Sequence, residues 1–173
     1  MIATVGSPVP DFELPAHGNR VVRLSALRGY IVVLYFYPKD DTPGCTIEAQ
    51  EFRDHLAELR AERCTVIGVS RDSLSSHERF VEKFAINFPL ISDPDGELCQ
   101  MFDVIKTKMM YGRETRGIER SSFLIDRDGV LRQEWRKVKA EGHAEQVLFA
   151  VQSLNKHPAA PATPQAPAAD IPS

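Results

Sequence analysis

The sequence predicts an α/β fold: a central mixed sheet flanked by helices, with an N-terminal β-hairpin extension. Three features point there. The run "YIVVLYFY" at 30–37 has the pattern of a central strand buried on both faces. An amphipathic helical stretch and a second apolar run, "CTVIGVS" at 64–70, follow it, and this strand–helix–strand order suits parallel pairing. Near the C-terminus, two runs on either side of Asp128-Gly129 carry the signature of an antiparallel hairpin, ahead of a closing helix.

Taken in order, "DFELPAHGNRVVRLS" (11–25) reads as the extension hairpin and 30–37 as the first central strand. From Thr42 to about Arg63 a helix is expected, because Cys45, Ala49, Phe52, Leu56 and Leu59 recur at spacings of 4, 3, 4 and 3. The strand 64–70 follows, then a helix in "SLSSHERFVEKFA", where Ser75 and Glu78 have capping-box spacing. "FPLIS" (88–92) is a short strand and "DPDGELCQMFDV" a short helix. "SSFLID" and "VLRQEWRK" form the hairpin, and "GHAEQVLFAVQSL" is the last helix. This order is a thioredoxin-like plan. The segment 106–139 holds ten Lys or Arg against five acids and reads mostly as a solvated basic rim.

The 173 residues suit one folded domain, placed at 1–156. Residues 157–173 hold five Pro and six Ala, with almost nothing to bury, and are expected to form a disordered tail. A net charge of −3 excludes a general nucleic-acid binder and a polybasic membrane anchor. The longest strongly apolar run is eight residues, far short of a membrane span, and the start lacks the basic and apolar regions of a signal peptide. Three cysteines are too few and odd in number for a disulfide framework, so a cytoplasmic location is expected.

Cys45 is the candidate reagent. Thr42 is a good N-cap and Pro43 suits the first helical position, so Cys45 falls in the first turn. That turn lies just beyond the C-terminal end of a buried strand, where open α/β sheets place ligands. Free backbone N–H groups and the positive end of the helix dipole there favour thiolate over thiol. A cysteine at a helix start is more often a packing residue than a nucleophile, so the neighbouring residues decide.

Those neighbours are specific. Pro38, Thr42 and Cys45 form P-x-x-x-T-x-x-C, and "FYPKDDTPGCT" resembles the active-site signature of the peroxiredoxins, closest to the PrxQ or bacterioferritin-comigratory-protein subfamily. "GVSRDS", "FPLISD", "KMMYG" and "GIERSSFLIDRDG" extend the resemblance over about Val9 to Leu154. It implies a thiol-specific peroxidase for hydrogen peroxide and organic hydroperoxides. Cys45 then matches the peroxidatic cysteine, which becomes a sulfenic acid. Thr42 matches the hydroxyl that bonds the thiolate and the peroxide, and Pro38 the ring that shields the sulfur. Arg120 matches the guanidinium that holds thiolate and peroxide together, and Glu48 the helix acid that orients such a group. Backbone N–H groups near Gly44 and Cys45 complete the expected substrate site.

The chain departs from the subfamily pattern in one respect. Relatives carry a resolving cysteine five residues after the first, here Gln50, or in the next helix, here matching Val81. Cys64 should lie at the opposite end of the sheet from Cys45, and Cys99 reads as packing beside Phe102. The expectation is therefore a one-cysteine mechanism with an external thiol reductant: thioredoxin, glutaredoxin or a small thiol. The alternative is a redox sensor or holdase-type partner binder in which Cys45 oxidation acts as a switch. No G-x-G-x-x-G, Walker loop or C-x-x-C occurs, and the five histidines lack metal-ligand spacing, so no cofactor is expected. The resemblance favours a monomer over a dimer.

Overall fold

The computed structural model describes residues 2–157. In chain order come β1 (Glu13–Ala16), β2 (Arg20–Arg23), a 3-10 turn (Leu24–Leu27), β3 (Ile31–Phe36), α1 (Pro43–Ala61) and β4 (Cys64–Ser70). They are followed by α2 (Leu74–Phe84), β5 (Leu90–Ser92), α3 (Glu97–Met101), β6 (Ile105–Met110) and β7 (Arg113–Ile118). β8 (Ser121–Ile125), β9 (Leu131–Trp135) and α4 (His143–Lys156) complete the order. From residue 158 onward, the segment expected to be a tail lies outside the described residues.

Seven strands form one sheet in the order β2-β1-β5-β4-β3-β8-β9. β3, β4 and β5 run parallel, while β1, β8 and β9 are antiparallel to their neighbours. All six residues of β3 are buried, as its unbroken apolar run requires of a strand covered on both faces. The strand's period of two divides the core. Ile31, Val33 and Tyr35 pack with Cys45, Phe52, Phe80 and Val147 from α1, α2 and α4. Val32, Leu34 and Phe36 pack on the other face with Leu98, Cys99, Phe102 and Phe123.

Two local expectations are corrected. The N-cap of α2 is Ser73, whose hydroxyl accepts from the Ser76 N–H, so the Ser75–Glu78 spacing does not mark the cap. The first part of the basic segment is a separate two-stranded ribbon of β6 and β7, in register from Ile105↔Ile118 to Met110↔Arg113. Tyr111 and Gly112 turn it with φ of 52° and 76°, and most of β7 is exposed. A ribbon made mostly of Lys, Arg, Thr and Glu, with its apolar residues at the ends, has no regular apolar alternation to read, which hid it in the sequence.

Candidate active site

Topology brings the site together. β8 runs antiparallel to β3, with Phe36 opposite Ser121. Arg120, which precedes Ser121, therefore lies beside the loop that leaves β3 at Tyr37 and enters α1 at Pro43. Residues 75 positions apart thus meet: Arg120 Nη2 is 3.5 Å from Cys45 Sγ. The other arm of the fork, Nη1, donates to Glu48 Oε1 at 2.7 Å. Cys45 and Glu48 stand three residues apart on α1 and so present neighbouring side chains to one guanidinium.

The cluster is deeply placed. Cys45 is 1% exposed and Glu48 0%, and the Arg120 side chain is 16% exposed. Loss of solvent pushes the Glu48 carboxyl up from its ordinary 4.5 to about 7, against the opposing pull of Arg120. Burial works against the Arg120 charge, but Glu48 and then Cys45 outweigh it and raise the arginine above its ordinary value. Gly44 leaves room for the fork, since a Cβ there would sit 3.0 Å from Arg120 Nη2.

Thr42 occupies the N-cap position of α1, with Pro43 at the start, but its hydroxyl does not cap the helix. Nor does it make the expected bond to the thiol: Thr42 Oγ1 donates to the Lys39 carbonyl at 2.8 Å. Its hydrogen is thereby committed, and its lone pairs remain available to accept from an incoming O–H. Pro38 stands exposed in the same loop. The N–H groups of Gly44 and Cys45 belong to the first turn, where helix geometry supplies no intrahelical acceptor.

Several residues around this cluster escaped the sequence reading. Tyr35, read there only as part of an apolar run, stacks on Phe52 with ring centroids 4.7 Å apart. Among the described residues, its hydroxyl and Glu48 Oε2 are buried without a hydrogen-bond partner. Gly68 admits the tyrosine ring, because a Cβ there would lie 3.1 Å from Tyr35 Cζ and closer still to Leu90. Asp40 anchors the loop by accepting from Tyr37 Oη at 2.6 Å, from Ser76 Oγ at 2.8 Å and from His77 Nδ1 at 2.7 Å. His143 is held between Ser122 and Gln146, and burial lowers its pKa, with Arg120 adding to the effect. The doubled acid in "PKDDT" was the available signal for Asp40; nothing in the sequence marked Tyr35.

The other two cysteines stand apart. Cys64 is opposite Ile31 in the register, at the far end of β3 from the loop, about 16 Å along the strand from Phe36. Cys99 packs in the cluster on the opposite face of the sheet from Cys45. All three cysteines are free. Burial pushes the Cys64 thiol up to about 12, and burial with Asp93 beside it pushes Cys99 well above the usual thiol range. A broad groove lined by Trp135, Leu148 and Phe149, between β9 and α4, contains none of the site residues.

A thioredoxin-like sheet that carries a buried cysteine at a helix mouth beneath a guanidinium defines a thiol peroxidase of the peroxiredoxin class. The chain belongs to the AhpC/TSA family, whose model matches residues 5–134. It is 47% identical over 156 residues to Peroxiredoxin Bcp of Xanthomonas campestris pv. campestris, covering 89% of this chain and 98% of that protein. It is 44% identical to Peroxiredoxin Bcp of Bacillus subtilis, covering 90% and 99%. Among solved structures it resembles Xanthomonas campestris Peroxiredoxin Q with a TM-score of 0.83 at 46% identity, covering 88% of this chain and 98% of that one.

Proposed function

We propose that Cys45 reduces hydrogen peroxide and organic hydroperoxides by a one-cysteine cycle, with electrons supplied by an external thiol. The Cys45 thiolate attacks one peroxide oxygen, an S–O bond forms and the O–O bond breaks. The electron pair leaves with the second oxygen, which is protonated to the alcohol or to water. Cys45 sulfenic acid is then reduced by a thiol, which forms a mixed disulfide and releases water, and a second thiol frees Cys45. Thioredoxin, glutaredoxin or a small thiol can fill that role.

The observation that carries this reading is the forked contact of Arg120 with Cys45 and Glu48. Thiolate formation alone gives a modest gain, because a less basic sulfur is also a weaker nucleophile. Most of the acceleration must come from donors placed where negative charge develops on the departing oxygen. Arg120 and the N–H groups of Gly44 and Cys45 are those donors, Thr42 accepts the hydroperoxide O–H, and Glu48 fixes the fork. Pro38, exposed in the loop between β3 and α1, is the ring that shields the sulfur from water.

Organic hydroperoxides are included because a related structure, that of the Xanthomonas campestris bacterioferritin comigratory protein, is described in terms of alkyl peroxide reduction. Two forms of Xanthomonas Peroxiredoxin Q carry serine in place of cysteines thirty-six positions apart. The same spacing from Cys45 falls on Val81, which supports the one-cysteine cycle. We place the protein in the cytoplasm as a monomer; among the described residues no helix is long and apolar enough to cross a membrane.

The absence of a thiol at Gln50 and Val81 also favours a second reading, a sensor whose oxidised Cys45 persists and signals. Peroxide consumption with a panel of thiol reductants separates the two. Many turnovers per Cys45, abolished by Cys45→Ser, support the peroxidase, whereas a single turnover with every reductant refutes it.

A further inference from the structure

Two buried acids share one positive charge. Arg120 bonds Glu48 through Nη1 and lies against Cys45 through Nη2, so two acids compete for a single guanidinium. If both were ionised, the cluster would hold a buried anion without its own counter-charge, a costly arrangement. The surrounding groups do not supply the missing cation. From β3 comes Tyr35, whose hydroxyl burial, Glu48 and Cys45 keep neutral. From α4 comes His143, whose pKa is lowered. From α1 itself comes Glu51, which adds negative charge. Asp40, the remaining acid acting on Tyr35, is committed to His77, Tyr37 and Ser76.

The hydrogen bonding agrees with the charge count. Glu48 Oε1 has a donor, but among the described residues none reaches the buried Oε2. An ionised carboxylate leaves a charged oxygen with no donor, whereas a neutral carboxyl leaves an O–H without an acceptor, the smaller of the two costs. Tyr35 Oη, the second unpartnered buried atom, feels Glu48 and Cys45 as its strongest charged neighbours.

The geometry points to one proton shared between Glu48 and Cys45: when the sulfur is an anion the carboxyl is neutral, and when the sulfur is neutral the carboxyl is the anion. Arg120 serves whichever of the two is charged. The upward displacement of Glu48 towards neutrality is in keeping with this exchange. The proton that the thiol gives up is then retained in the interior instead of passing to solvent.

The chemical consequence rests on the peroxidase reading. Cys45–S⁻, ROOH and Glu48–COOH become Cys45–SOH, ROH and Glu48–COO⁻, with atoms and charge balanced. The departing oxygen gains a proton at the expense of the one stored on Glu48, and Arg120 turns from a sulfur that is now neutral to a carboxylate that is now charged. Glu48 is thus a proton store as well as a positioning residue.

The test needs no peroxide, so it can fail while the peroxidase reading stands, and the reverse. Infrared difference spectra with isotope-labelled glutamate isolate the protonated-carboxyl stretch of Glu48, the one buried glutamate among the described residues. The band is titrated in the reduced protein, in Cys45→Ser and in Cys45→Ala. Removing the competing anion frees Arg120 for Glu48, so the midpoint falls by roughly one unit or more, a tenfold change in proton affinity, in either variant that folds. A midpoint that stays or rises when Cys45 is replaced overturns the proposal, as does a reduced protein whose Glu48 band is absent at pH 6.

Discussion

Asp40 and His77 meet at 2.7 Å in the interior, and this contact ties the loop that delivers Cys45 to helix α2. Tyr37 and Ser76 donate to the same carboxylate, and His77 Nε2 faces the Ile91 carbonyl at 2.9 Å. The polar atoms of the cluster satisfy one another, so removing the central acid strands several of them. Asp40→Ala should cost about 3 kcal/mol in urea unfolding and also slow peroxide reduction through a looser loop. A variant of unchanged stability would show that the network does not hold the loop.

The fork of Arg120 is used on both arms at once. Lysine keeps the charge but has one nitrogen, so it cannot span Cys45 and Glu48 together. Arg120→Lys is expected to lower the peroxide rate constant by roughly 10²- to 10³-fold, as loss of an oriented donor does elsewhere. Stopped-flow oxidation of Cys45 measures it, and near wild-type rates would refute the geometric role.

Gly44 separates stability from activity. Alanine is the better helix former by about 1 kcal/mol, yet its Cβ would sit 3.0 Å from Arg120 Nη2. Gly44→Ala should therefore leave the melting temperature unchanged or higher while peroxide reduction falls roughly tenfold or more, as displaced catalytic groups do. Equal activity in the two proteins would mean that the guanidinium has slack.

Glu48 makes stability depend on pH in a defined direction. Its folded value is raised from 4.5 to about 7. Its contribution relative to Glu48→Gln is therefore full below about 4.5 and is lost as the pH climbs through about 7. The stability difference between wild type and Glu48→Gln, measured by denaturant unfolding at pH 5 and pH 8, should move against the wild type as pH rises, by on the order of 3 kcal/mol at most. A difference independent of pH would show that Glu48 is not displaced.

Cys64 and Cys99 give the last expectation. One lies at the far end of β3 and the other packs on the opposite face of the sheet, whereas a disulfide requires Cα atoms within roughly 7 Å. Peroxide-treated protein, analysed intact without reductant, should gain one oxygen at Cys45 and show no internal bridge. A loss of two hydrogens mapped to Cys45 with either partner would overturn the one-cysteine cycle.

The sequence carried the central strands, the helix of Cys45 and the two end hairpins because each has a strong period, an unbroken apolar run or a turn signature. Cys45 and Arg120 stand in short motifs and Glu48 came from the family resemblance; the antiparallel pairing of β8 with β3 brings the three together. What stayed hidden depends on tertiary placement. The largely polar ribbon of β6 and β7 shows no regular apolar alternation, and Tyr35 became a site neighbour only because period two turns it towards α1 and Gly68 makes room for it. Ser73 in place of Ser75 as the cap is a shift of two residues among three serines. Thr42 sits where the motif puts it but spends its hydrogen on Lys39.

That detail matters after the sulfur has been oxidised. A peroxide is small enough to reach a sulfur that is 1% exposed, but the thiol of another protein is not. Because the Thr42 side chain does not cap α1, unwinding the opening turn breaks no cap of the kind that elsewhere contributes about 1 kcal/mol. The two halves of the cycle thus ask for two shapes of the same few residues, wound for oxidation and loosened for reduction. At high reductant concentration, turnover should level off at the rate at which the turn comes undone.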